Sequence, residues 1–175
     1  KRSNDEEETK KHKNGVILAV LGQRRKGNKI IKEILDYRIC QSENKEEYEK
    51  LLRSLKKRGL SSDKIKLAVH DGDDSIVSAL DSVYGEKKIK EQDCLIHKQR
   101  NIVKSTINKQ NKKEIKDDVW KVYSSKTKEE FLYRHEEVLK KWQIKEPEAM
   151  KIFALKDNQL TKYDFEYSIH KEIHS

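Results

Sequence analysis

At 175 residues the chain is long enough for one domain with a core of its own, with room for an appendage. Charged residues make up 41%, hydrophobic ones 34%, and the formal net charge is +9. That balance excludes a membrane span, since no apolar run approaches the roughly 20 residues required, and two cysteines are too few for a disulfide scaffold. Cys40 and Cys94 instead point to a reducing cytoplasm. The positive excess suits a polyanionic partner such as nucleic acid, although a Lys-rich, AT-rich genome leaves the same bias. The expectation is a soluble intracellular domain facing nucleic acid, without a signal peptide and without an initiator methionine, and so an excised piece.

In chain order, residues 1–14 are nearly all polar and without period, and read as a loop or frayed end. GVILAVLG follows, an apolar run over 16–21 between two glycines, which predicts a central strand covered on both faces. Residues 23–28, QRRKGN, predict a turn with a basic tip, in which Gly27 supplies a positive φ. KIIKEILDYRIC then predicts a second strand, so that residues 16–40 form an antiparallel hairpin. The period changes at SENKEEYEKLLRSLKKRG. Tyr48, Leu51, Leu52 and Leu55 fall at i, i+3, i+4, i+7, acids gather at the start, bases at the end, and Gly59 stops the helix.

Residues 65–69 predict a further strand, and Ile76, Val77, Leu80 and Tyr84 a helix that ends at Gly85. KKIKEQDC predicts a short polar strand, which makes the order β-β-α-β-α-β. Everything from Leu95 onward reads as helix. Ile96, Val103 and Ile107 share one face, Ile115, Val119 and Val122 another, and Phe131, Leu132, His135, Val138, Leu139 and Trp142 a third. Pro147 opens a short helix through Met150 and Phe153.

Three features carry chemistry. Asp71 stands where the 65–69 strand gives way to a helix, and the carboxyl ends of strands in open α/β sheets are where ligands collect. A carboxylate there can hold a hard divalent cation, with Gly72 leaving the backbone room beside it. Asp73 and Asp74 are read instead as helix caps. Cys94 and His97 form C-x-x-H, a spacing at which two ligands share a zinc ion, but a closed site needs four and no second pair follows. The alternative is a packed thiol and a histidine at a helix start. Lys98, Arg100, Lys104, Lys109, Lys112 and Lys113 form a basic run without an acid, suited to a phosphate backbone and equally to a solvated helix face.

VHDG, a helix, and C-x-x-H followed by KQRN resemble, as an ordered set, the Mutator-type transposases of bacterial insertion sequences. The matching residues are Asp71 and Gly72, the helix around Ile76 to Tyr84, then Cys94, His97, Arg100 and Asn101. Upstream, GVILAVLGQRRKGNKIIKEILDYRI looks like the family's second and third strands, and EEYEKLLRSLKKRGL like the helix before its second catalytic Asp. The likeness runs from about residue 15 to about residue 101.

The resemblance implies a ribonuclease H-like α/β fold, a mixed sheet flanked by helices with an all-α insertion in the C-terminal half. It divides the chain into a polar end (1–14), a partial core (15–94), a helical insertion (95–157) and a tail (158–175). It implies metal-dependent DNA cleavage and strand transfer by two Mg2+ or Mn2+ ions on an Asp-Asp-Glu set, with Asp71 as the second member, both catalytic and metal-binding. The 65–69 strand would be the central rod that holds Asp71 at the metals. Gly72, Cys94 and His97 would lie near the site, with His97 toward DNA and Cys94 packed beneath it. Lys98, Arg100, Asn101, Lys104, Lys109, Lys112 and Lys113 would contact DNA. The partners implied are transposon ends and target DNA, with a homo-oligomer left open, no membrane, and a bacterial, nucleoid-associated location. The first Asp and the Glu, which lies in a Thr-Asn-x-x-Glu motif, are expected outside this chain. Asp5 has no strand around it, and Glu166 and Glu172 lack the Thr-Asn context. This piece is therefore expected to be inactive alone, and a non-enzymatic, transposase-derived nucleic-acid-binding module is the rival reading.

Overall fold

A computed structural model describes residues 15–164. Asp5, Glu166, Glu172 and residues 173–175 lie outside the described residues. The protein is mixed α/β: β1 (Val16–Lys26), β2 (Lys29–Cys40), α1 (Lys45–Lys57), β3 (Ala68–His70), α2 (Asp74–Tyr84), β4 (Glu91–Asp93), α3 (Leu95–Ser105), α4 (Lys112–Tyr123), α5 (Lys128–Trp142) and α6 (Pro147–Phe153), with short 3-10 turns between. The described residues fall into two compact units, one holding 15–61 and 75–85, the other 62–74 and 86–164.

In the first unit β1 and β2 pair antiparallel from Val16↔Cys40 to Lys26↔Lys29. The expected turn over 23–28 is shorter than read, because Gln23, Arg24 and Arg25 are rungs of the ladder and only Gly27 (φ +60°) and Asn28 reverse the chain. Cross-strand pairing overrides the turn character of a charged tripeptide. The register shifts between Val20 and Leu21, where Leu35 is the extra residue. The expected burial of both faces is also corrected. Leu18 is buried, while Ile17 and Leu21 on the opposite face are 67% and 63% exposed. Strand alternation sorts the apolar run onto two faces, and α1 covers only one of them.

Helix α1 forms as its sequence predicts. The Asn44 side chain accepts from the Glu47 amide at 3.0 Å, Glu46 and Glu47 occupy the first turn, and Leu51, Leu52 and Leu55 are buried. Arg38 of β2 reaches Glu47 at 2.6 Å, and Ser54 donates to Asp36 at 2.8 Å, fixing the helix on the strand. Helix α2 buries Ala79, Leu80, Val83 and Tyr84.

In the second unit β3 and β4 pair parallel over three rungs, from Ala68↔Glu91 to His70↔Asp93. Among the described residues they form a two-stranded sheet of their own, separate from β1–β2, and Val69 is 45% exposed. The central strand expected over 65–69 thus begins three residues later and is not enclosed, since Ile65 and Leu67 spend their apolar area outside the ladder. Helices α3 to α6 enclose a core of Leu95, Ile102, Ile115, Val119, Val122, Tyr123, Phe131, Trp142, Met150 and Phe153. The inward faces of α4 and α5 follow the predicted spacing, except that Leu132 is exposed. The face of α3 does not. Leu95, Gln99 and Ile102 point inward, whereas Ile107 is 72% exposed beyond the helix end. Gln99 can be buried because its amide donates to the Lys116 carbonyl at 2.9 Å.

Candidate functional site

The parallel pairing of β3 and β4 brings the two sequence motifs to one edge. The strands run in the same direction, so their carboxyl ends emerge together, and the Cys94 amide donates to the His70 carbonyl at 2.6 Å as one further rung. Asp71 and Gly72 leave β3 at this edge, and Cys94, His97 and Lys98 leave β4.

Asp71 is exposed, and its Oδ1 accepts from the Asp73 amide at 3.3 Å, a side-chain-closed turn leading into α2. Asp71 thus satisfies an amide of the turn that precedes α2. Gly72 has φ +86°, a left-handed conformation that side chains strain to adopt. A Cβ on it would lie 3.5 Å from Asp93 Oδ1, an ordinary contact, so glycine is needed here for its backbone rather than for space. Beneath the turn the His70 ring lies between the Gly72 amide (3.1 Å to Nδ1) and Glu91 (Nε2 to Oε2, 2.7 Å).

Cys94 is the N-cap residue of α3, half-buried, with no hydrogen bond from its thiol to the helix. His97, one turn on, is exposed. Among the described residues no group of three or more His, Cys, Asp or Glu side chains converges to hold a metal ion. The described residues alone therefore do not make the two-cation site, nor a zinc site at C-x-x-H. Asp71 is an exposed, hard oxygen ligand at this edge, and Asp73 and Asp74 are exposed just beyond it. His135 is committed to the core, bonded to the Phe153 carbonyl at 3.0 Å and stacked on that ring, where burial lowers its pKa.

The basic run divides. Lys98 turns inward, its side chain 10% exposed and its ammonium 3.9 Å from Asp93 Oδ2; burial pushes its pKa down to about 8. Arg100, Asn101 and Lys104 are exposed on α3, and His97, Asn101 and Lys104 follow one another at i, i+4, i+7 along one stripe. Lys109 and Lys113 are exposed beyond the helix, and Lys112 is half-buried.

A residue that the sequence did not mark holds this second cluster in place. Glu146, 1% exposed, accepts from the amides of Ile107 (2.8 Å) and Asn108 (3.1 Å) and from the Asn111 side chain (2.8 Å). Burial pushes its pKa up, but these three bonds prevail and hold it below the usual carboxylate range. The only sequence signal for it is its place just before Pro147 at a helix start.

The model of the family described as “Transposase, Mutator family” matches residues 7–175. The chain is 28% identical over 144 residues to a protein described as the transposase for insertion sequence element IS905 of Lactococcus lactis subsp. lactis (strain IL1403), covering 82% of this chain and 36% of that protein. It is 39% identical over 71 residues to the transposase for insertion sequence element IS1201 of Lactobacillus helveticus, covering 41% of this chain and 18% of that one. The chain thus matches little more than a third of the length of the first relative and less of the second.

Proposed function

The chain belongs to the Mutator family of transposases, and from that premise we propose that it is a segment of a DNA transposase catalytic core in which Asp71 carries the chemistry. The observation behind the reading is the parallel β3–β4 pair, which delivers an exposed carboxylate and the start of the basic α3 stripe to one edge. In the complete protein Asp71 is one carboxylate ligand of a two-ion magnesium or manganese site for strand cleavage and transfer. Such ions supply Lewis acidity and an activated oxygen nucleophile when bound. The part of this chain is to hold a hard oxygen ligand at a fixed strand end and to seat a DNA backbone along Arg100, Asn101, Lys104, Lys109, Lys112 and Lys113. Lys98 contributes from beneath, by neutralising Asp93. The setting is the bacterial cytoplasm at the nucleoid, with transposon ends and target DNA as partners.

The test is strand cleavage by the full-length protein in magnesium or manganese. Asp71→Asn is expected to abolish cleavage while changing the dissociation constant for DNA by less than about twofold, because the exposed bases supply the binding. A cleaving Asp71→Asn protein refutes the assignment. Among the described residues no group of ligands converges around Asp71, and this favours a second reading, a DNA-binding module without chemistry. DNA binding without cleavage by the native full-length protein in either metal is its signature.

A further inference from the structure

We propose that His70, oriented by Glu91, is a positioning residue for Asp71, acting through the amide of Gly72. The proposal rests on the reading of Asp71 given above. Gly72 N–H points at His70 Nδ1 at 3.1 Å, and a nitrogen that accepts an amide hydrogen carries no hydrogen of its own. The ring proton must then sit on Nε2, which donates to Glu91 Oε2 at 2.7 Å. The two bonds agree on one tautomer and one ring orientation, in the manner of histidines that carboxylates orient at other functional sites. The side chains of His70 and Glu91 are 8% and 13% exposed, so the bond between them is largely shielded from water, while the Gly72 bond lies at the exposed turn.

The geometry follows from the strand pairing. His70 pairs with Asp93, and Glu91 lies two residues earlier on β4, on the same face of the ladder. The ring therefore spans from β4 to the peptide that follows Asp71. That turn is held at two points: by the ring nitrogen at Gly72 N, and by the Asp71 carboxylate on the Asp73 amide at 3.3 Å, with the Asp93 carboxylate close to Gly72. Asp93 is kept there by Lys98 at 3.9 Å. Without the histidine acceptor, the left-handed Gly72 loses the bond that selects its conformation, and Asp71 leaves β3 in more than one direction. A displacement of about 1 Å in a reacting constellation costs on the order of a hundredfold in rate.

The substitutions that test this separate the two ring nitrogens. Asparagine places its carbonyl oxygen where Nδ1 stands, whereas glutamine reaches toward Nε2 and leaves the Gly72 amide without a partner. In the full-length protein His70→Ala and His70→Gln are expected to lower the cleavage kcat about 10- to 100-fold with DNA affinity unchanged, and His70→Asn to recover most of the loss. In the 175-residue chain, nitrogen NMR is expected to show His70 as the Nε2–H tautomer. The Gly72 amide is expected to exchange with solvent more slowly in native and His70→Asn protein than in His70→Ala. An Nδ1–H tautomer, a Gly72 amide indifferent to His70→Ala, or equal activities of the Asn and Gln variants would overturn the proposal. If His70→Ala fails to fold, the Asn–Gln comparison still decides. Inactive Asp71→Asn beside fully active His70→Ala refutes positioning alone, while active Asp71→Asn refutes the reading beneath it.

Discussion

Lys162 sits 1% exposed with its ammonium on the Tyr123 carbonyl at 2.7 Å and 4.7 Å from the Tyr163 ring, and among the described residues no carboxylate pairs with it. Burial pushes its pKa down to about 8, the value also reached by Lys98. The sign of the linkage follows. Between about pH 8 and pH 10 the unfolded chain holds protons that the folded chain has released, so these lysines make stability rise with pH across that window, opposite to a lysine in a salt bridge. Above about pH 10 the buried tyrosines Tyr84, Tyr123 and Tyr163, whose pKa values burial raises, turn the trend downward. Thermal unfolding followed from pH 7.5 to 10 is expected to show this rise, reduced by roughly half in Lys162→Met because Lys98 remains. An unchanged slope in that variant would show that the ammonium is not buried. Neither lysine stands out in the sequence: the basic run does not reveal that Lys98 turns inward, and Lys162 is a lone lysine between Thr161 and Tyr163.

At the scale of elements, the hairpin bulge shows how one glycine sets a register. A Cβ on Gly22 would lie 2.7 Å from Leu35 Cγ and Cδ1, at the place where Leu35 is the unpaired extra residue. Gly22→Ala is expected to destabilise the hairpin by about 1–3 kcal/mol, the usual result of overpacking, and Leu35→Ala in the same protein to recover most of it. Hydrogen exchange at Val20 and Ile34 reads both effects, and additive losses would rule out the clash. Gly22 also marks where the sequence misleads, since it looks like the end of an apolar strand and lies within an 11-residue one. Local signals serve well where the cause is local: Asn44 with Glu47 begins α1, and Pro147 begins α6. They fail where a distant partner decides. Gln99 is buried on α3 through a bond to the Lys116 carbonyl, which turns the helix away from its most apolar phase. Asp71 was legible as a strand-end carboxylate, but the His70–Glu91 bond depends on a pairing between strands that no local pattern records.

Across the whole molecule, the net charge of +9 matters only through the charges that reach solvent. The chain is expected to bind duplex DNA weakly and without sequence preference, with log K falling by about 0.9 per neutralised phosphate for each unit of log salt. Lys104→Ala and Lys113→Ala should each reduce that slope by about 0.9, whereas Lys98→Ala should leave it unchanged. Equal effects at Lys98 and Lys104 in a salt titration would contradict the inward placement of Lys98. The parallel pair, described above as a matter of space, also has a place in time. Antiparallel hairpins close in microseconds through neighbouring residues, but β3 and β4 meet only after the chain has passed through all of α2, and three rungs repay that loop closure. The Asp71 edge thus depends on a closure that the hairpin does not need. On the function proposed above, a copy in which β3 and β4 have not yet paired carries its exposed bases without a positioned Asp71, and is expected to hold DNA more readily than to act on it.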